Sequence, residues 1–421
     1  MTVEGNVGIA FQLGTAIGRI GGPPDPDGMR EAGRRDDRPI GLHVDGTCSP
    51  GFEPVRDAFV ANFTERGEVG AAVCVLRRGE VVVDLWGGRT GPADGAEPWR
   101  GETLVNVYSV GKAVAATLVL RAIDRTEVGL DTPLVEFWPE FGTGGKEWVT
   151  VRHALSHRAA VPGIRRTLND DDLFDWETMT EALAETAPWW REDERHAYHT
   201  NTFGHLTGEI VRRLTGEMPA VELGAVTDEL LAGAPGADLF YGVPLDQQGR
   251  CADVIWDSPV PALPDVSQLD GDVLLNVLAH FNPPGYSSVG VVNTQRWRSG
   301  QFPSTGGHGS ARGVARFYDG LLQPDRVLPE PLLREATRPQ SSGPCPILGD
   351  DVTFGLGFVP TTPRRAYGPN PGAFGHFGTG GALGFADPEA GVAFGYVMNH
   401  VIPRWQSTRN RALIDAIYSV V

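Results

Sequence analysis

Apolar residues at 52, 55, 59, 60 and 63 recur at helical spacing, so "FEPVRDAFVANFTE" reads as an amphipathic helix. The next segment changes period. "GAAVCVLRRGEVVVDLWGG" gives two strands, 70–76 and 81–87, around an Arg-Gly turn. "SVGKAVAATLVLRAID" has no proline and a strong helical composition from Ser109 onward. Residues from about 150 to 235 are mostly helical, broken by loops at "AAVPGIRR" and "LNDDD". Residues 236–303 are rich in Pro, Gly and aromatics and read as long loops of the kind that wall a pocket. Near the end, two strands flank Asp387-Pro388-Glu389, with Pro at a favoured turn position. "STRNRALIDAIYSVV" closes the chain as a helix.

This order makes the chain an α/β (α+β) protein. The two strand pairs can join in one antiparallel sheet flanked by helices, with the helical middle as a second lobe and a site at the seam. Residues 1–50 read as a partly flexible N-terminal extension, because 21–50 are rich in Gly, Pro and Asp. One catalytic domain is expected over 51–421. Its α/β lobe spans about 51–150 and 305–421, and its helical, loop-rich lobe about 151–304.

Composition narrows the function. With 421 residues and 41% hydrophobic positions, the chain has ample material for a core. A net charge of −17 argues against nucleic acid or anionic lipid as a partner. Four widely spaced cysteines form no CxxC motif and read as mostly buried free thiols. The apolar N-terminal run lacks a basic flank and carries Glu4, so neither a secretory signal nor a membrane span is expected and a cytoplasmic location is the default.

Lysine is the rare residue. Only Lys112 and Lys146 occur among 36 basic residues. Lys112 stands three residues after Ser109, at the start of an apolar helix. Positions i and i+3 share a helix face, and helix N-terminal amides favour negative charge. A serine hydroxyl needs a base to become a nucleophile. Desolvated lysine can give up its proton, whereas arginine stays charged. S-x-x-K alone is common by chance, but two further segments converge with it. In "ERHAYHTNTFGHLTGEIVRRLTG" Tyr198 precedes a helix and can relay a proton. In "FGHFGTGGALGF" small residues at 378–381 permit close backbone approach, and His376 can donate a hydrogen bond.

The order S-x-x-K, tyrosine motif, then H-x-G before "GFADPEAGVAFGYVMN" resembles the serine beta-lactamase and penicillin-binding-protein superfamily. More narrowly it is similar to the class C beta-lactamase-like esterases and transacylases. "LSHRAAVPG" and "GGHGSARGVARFYDGLL" also match connecting segments of that group, and the likeness runs from about Gly51 to Val421. The resemblance implies Ser109 as the acyl-forming nucleophile, Lys112 as its base and Tyr198 as the proton-transfer tyrosine. It places His376 and Gly378 in the third motif. It implies an oxyanion hole from the Ser109 amide and one just after Gly378, read as Gly380, and puts Asn201 with the substrate-binding residues. No cofactor and no metal is implied. Two departures matter. Y-H-T-N replaces Y-x-N, so Asn201 comes one step late, which puts its usual side-chain amide role in question. His376 replaces a lysine, which removes a fixed positive charge for a carboxylate.

Competing signals are weaker. His153 and His157 have i,i+4 spacing but no third ligand, so zinc is disfavoured. His196, His199 and His205 read as pocket lining or support for Tyr198. No G-x-S-x-G elbow and no P-loop occurs. Trp256, Tyr286 and Trp297, if they face the seam, form an apolar acyl or leaving-group pocket. The expected activity is hydrolysis of a small-molecule ester or activated amide through an acyl-enzyme. One alternative is transfer of the acyl group to an amine or alcohol acceptor in natural-product biosynthesis. The non-enzymatic alternative is a slowly acylating or inert penicillin-binding-type sensor.

Overall fold

The computed structural model describes residues 42–93, 95–257, 264–402 and 407–421. Its main sheet has seven strands: β1 (Val44–Cys48), β2 (Gly70–Arg77), β3 (Glu80–Gly88), β4 (Val359–Pro360), β5 (Phe374–Phe377), β6 (Leu383–Asp387) and β7 (Val392–Met398). They lie in the order β1-β3-β2-β7-β6-β5-β4, and every pair is antiparallel. The N-terminal and C-terminal strand pairs therefore meet in one sheet, joined by β2 and β7. The expected extension reaches further than the structure allows. Val44–Cys48 pair with β3 as an edge strand, and the rest of that extension, 1–41, lies outside the described residues.

Both faces of the sheet are covered, which explains why β2 is a continuous apolar run rather than an alternating one. Ala71, Val73 and Val75 face one core, with Phe59 of α1 (Glu53–Glu65) and Leu413 and Ile417 of α8 (Thr408–Tyr418). Ala72, Cys74 and Leu76 face the other, with Val314 and Tyr318 of α7 (Ala311–Leu322). Gly395 of β7 lets α7 sit close. A Cβ there would lie 2.4 Å from the Ala311 carbonyl oxygen.

The segment expected to form the helical lobe contains α3 (Trp176–Glu185), α4 (Thr202–Thr215) and α5 (Pro219–Leu230). α4 ends at Gly216, whose left-handed conformation (φ 80°) lets its N–H reach Arg212 O at 2.9 Å. The stretch read as loops, 236–303, also holds a three-turn helix, α6 (Gly271–Phe281). Its "DVLLNVLAHF" core has helical composition, which the flanking Pro and Gly residues obscured. Among the described residues, no helix is long and apolar enough to cross a membrane.

The helix that follows Ser109, α2 (Val110–Asp124), is the interior axis of the molecule. All of its residues except Arg121 and Asp124 are buried. A helix apolar all round belongs in a core, so Lys112 is necessarily an interior amine.

Candidate active site

A small three-stranded sheet leads into the site. Val105–Asn106 pairs with His308–Gly309, which also pairs with Leu239–Phe240. Val107 N–H donates to Gly307 O at 2.8 Å, and the Asn106 amide donates to Thr305 O at 2.8 Å. These bonds bind the 304–309 segment to the approach to Ser109. Between them and the helix, Tyr108 takes a left-handed conformation, φ 50°. Such a conformation at a residue with a Cβ costs on the order of 1–3 kcal/mol and is held by its surroundings. Ser109 then sits at the N-cap of α2, without capping the helix through its side chain.

Lys112 is fully buried, and its ammonium has three hydrogen-bond partners. It donates to Ser109 Oγ at 3.1 Å, to Thr200 O at 2.6 Å and to Ser304 O at 3.1 Å. No carboxylate offsets the charge, so desolvation pulls the Lys112 pKa well below the ordinary lysine value. The two backbone carbonyls aim the amine at the serine. Neither was visible in the sequence, because a carbonyl has no side-chain signature.

Tyr198 is held on every side. Its N–H donates to Cys345 Sγ at 3.2 Å, and its ring stacks on Phe354 with centroids 5.7 Å apart. His157 lies 4.9 Å from it and His376 6.3 Å, and the Lys112 nitrogen is 4.8 Å from the ring centroid. Burial raises the Tyr198 pKa, and a hydrogen bond with Ser109 opposes that shift. The phenol is therefore neutral at ordinary pH.

The third motif closes the site from the sheet. His376 and Gly378 lie at the end of β5, and a Cβ on Gly378 would come 2.5 Å from Val107 O. Only glycine lets this strand end press against the approach to Ser109. The Gly378 N–H is taken by Ala382 O at 2.7 Å. Gly380, read as the second oxyanion amide, is bridged to Ile402 through its carbonyl, which accepts from Ile402 N–H at 3.2 Å and leaves the Gly380 N–H uncommitted. Among the described residues, the amides of Ser109, Thr379 and Gly380 have no intramolecular acceptor. Thr379, directly after Gly378, therefore stands beside Gly380 as a candidate for the second oxyanion amide.

His376 is buried and neutral. Desolvation, then the nearby Lys112 charge, lowers its pKa to about 3, and its Nδ1 faces Phe377 O at 2.8 Å. The site thus has no fixed cation where a lysine would have supplied one. Asn201 lies at the start of α4, and its side-chain nitrogen donates to Ala279 O at 2.8 Å.

His153 and His157 do not share a ligand site; His153 lies instead with Glu192 and Asp193, their ligand atoms within 4.8 Å of one another. His153 Nδ1 accepts from Thr150 N–H at 3.1 Å at the start of a short helix, whereas His157 Nδ1 accepts from His199 N–H at 3.1 Å beside Tyr198. His199 is satisfied at both nitrogens, by Ala197 O at 2.7 Å and Val161 N–H at 3.3 Å. His205 bonds Tyr286 at 2.6 Å. Of the three loop aromatics, Tyr286 and Trp297 are core residues. Trp297 donates to Asn106 Oδ1 at 3.1 Å. Trp256 packs edge-on against Tyr108, the residue before Ser109, with centroids 6.4 Å apart. The thiols divide evenly, with Cys74 and Cys345 buried and Cys48 and Cys251 half-buried.

A family model described as Beta-lactamase matches residues 56–418. The chain belongs to the beta-lactamase family. Esterase/beta-lactamase LipL of Mycobacterium tuberculosis is 31% identical over 392 residues, covering 89% of this chain and 87% of that protein. Esterase EstB of Burkholderia gladioli is 28% identical over 386 residues, covering 84% and 92%. Among solved structures, a family VIII carboxylesterase superposes with a TM-score of 0.80 at 33% identity, covering 90% of this chain and all of that one. This member of the family lies on its class C-like branch, and it is a serine hydrolase.

Proposed function

We propose that the chain hydrolyses small, uncharged carboxylic esters through an acyl-enzyme on Ser109. The observation that carries this reading is the Lys112 amine 3.1 Å from Ser109 Oγ, buried and depressed in pKa. Neutral Lys112 takes the Ser109 proton as the hydroxyl attacks the carbonyl carbon. Tyr198 gives its proton to the leaving alkoxide and takes the proton that Lys112 removed from Ser109, so that both groups return to neutral. The Ser109 amide and one of the free amides after Gly378, Thr379 or Gly380, hold the oxyanion. Water then attacks the acyl-enzyme, and the same groups run in reverse.

The absence of a fixed cation at His376 supports esters over substrates anchored by a carboxylate, and the esterase names of the relatives agree with it. The test compares short 4-nitrophenyl esters with nitrocefin. Ester turnover should dominate and should vanish in Ser109→Ala. A lactamase rate far above the esterase rate would overturn the reading. Transfer to an alcohol or amine is a second reading, supported by the nucleophile being only 3% exposed, which limits access of bulk water. Product partitioning at rising acceptor concentration separates the two.

A further inference from the structure

Two acceptors beside Lys112 have no use in the chemistry above. His280 lies in the last turn of α6, and its Nδ1 faces Asn276 O at 2.9 Å. A carbonyl can only accept, so Nδ1 carries the proton and Nε2 is left with a bare lone pair. Burial, the Asn276 bond and the Lys112 charge all act on this imidazole, and the balance keeps it neutral. Asn201 is fixed by the same logic. Its nitrogen donates to Ala279 O, the residue before His280, which leaves Oδ1 as the second acceptor. Both residues are buried, at 6% and 2% exposure, and among the described residues neither His280 Nε2 nor Asn201 Oδ1 has a partner. Asn201 directly follows Thr200, whose carbonyl holds the Lys112 amine. Buried acceptors left unpaired are costly and uncommon, and a ligand is one thing that pairs them.

We infer that His280 Nε2, with Asn201 Oδ1, accepts a hydrogen bond from an O–H or N–H group on the substrate, so that hydroxylated or amide-bearing esters are preferred over plain ones. This rests on the esterase reading and adds the substrate's polarity to it. The preference is for a donor, because His280 has no N–H left and the two unpaired atoms, His280 Nε2 and Asn201 Oδ1, can only accept. The donor can sit in the acyl group or in the alcohol, and the two positions are separable by experiment.

The experiment compares kcat/KM for two matched pairs. One is 4-nitrophenyl 3-hydroxybutyrate against 4-nitrophenyl butyrate. The other is ethylene glycol monobutyrate against ethyl butyrate. The wild type should favour the hydroxylated member of one pair by about tenfold, the worth of one buried hydrogen bond. His280→Asn keeps the bond to Asn276 O but loses the Nε2 position, and should bring that ratio close to one. His280→Gln places an acceptor where Nε2 was, and should restore most of it. A role confined to packing would lower both members of a pair together and leave the ratio unmoved. A wild-type ratio near one in both pairs, as expected if a buried water satisfies the acceptors, overturns the inference while plain-ester turnover stands. An unchanged ratio in folded His280→Asn overturns it too. No Ser109-dependent turnover of any ester would remove the esterase reading and this inference with it.

Discussion

Lys112→Arg keeps the positive charge and removes the ability to lose it. In the wild type the amine must be neutral to accept the Ser109 proton, and burial without a counter-charge makes that accessible. Guanidinium does not deprotonate in proteins, so the variant loses the base entirely. General-base catalysis is worth about 10²–10⁴-fold, or roughly 3–5 kcal/mol of barrier at 1.36 kcal/mol per tenfold. The larger head group must also enter a site with no exposure, at an overpacking cost of about 1–3 kcal/mol. Lys112→Met separates the two effects. It fits the same stem and also lacks a base, and it leaves Thr200 O and Ser304 O without the amine. Its net stability change should stay within about 2 kcal/mol, because relief from burying an amine offsets the unpaired carbonyls. The assay is kcat/KM for 4-nitrophenyl butyrate alongside urea unfolding. Both variants should lose at least a hundredfold. Activity within tenfold of wild type in folded Lys112→Arg would refute the assignment of Lys112 as base.

Three further outcomes follow from the same geometry. Tyr198→Phe, which keeps the stacking on Phe354, should cost about 10²-fold in kcat with little change in stability. This is read by steady-state kinetics and thermal melts. Stability should fall as pH drops below neutral. His199 and His376 have folded pKa values of about 3 against an ordinary 6.5, so between those limits the unfolded chain binds more protons and stability rises with pH. Each contributes a slope of up to about 1.4 kcal/mol per pH unit, measurable by urea titrations from pH 7 to 4. Lys146→Arg should destabilise by about 1–3 kcal/mol without a matching loss of kcat in the remaining folded enzyme. Lys146 is fully buried and donates to three carbonyls, those of Thr143, Ala184 at 2.7 Å and Thr186 at 2.8 Å.

That second lysine shows how far the sequence could be read. Both lysines are rare, buried interior amines, but only Lys112 stands beside a serine and a helix start, so only Lys112 carried a signal. Lys146 pins loop carbonyls that converge through tertiary folding, and no local pattern announces that. The sheet was legible because its strands alternate with sharp turns. β1 was not, since "VDGTC" is short and half-polar as an edge strand must be. Ser109, Lys112, Tyr198, His376 and Gly378 were legible as side-chain types in order. Thr200 O and Ser304 O were not, because backbone groups leave no mark on residue identity. Asn201 was legible as a residue, but its bond to Ala279 O depends on a helix that the sequence reading took for loop.

The central claim is that an ester carbonyl is transferred to Ser109 Oγ. Intact-protein mass spectrometry on samples quenched during turnover of 4-nitrophenyl butyrate tests it most directly. The account predicts one butyryl group per chain, located by fragmentation on Ser109, and none in Ser109→Ala. A butyryl group on any other residue, or ester turnover that persists in Ser109→Ala, would contradict it.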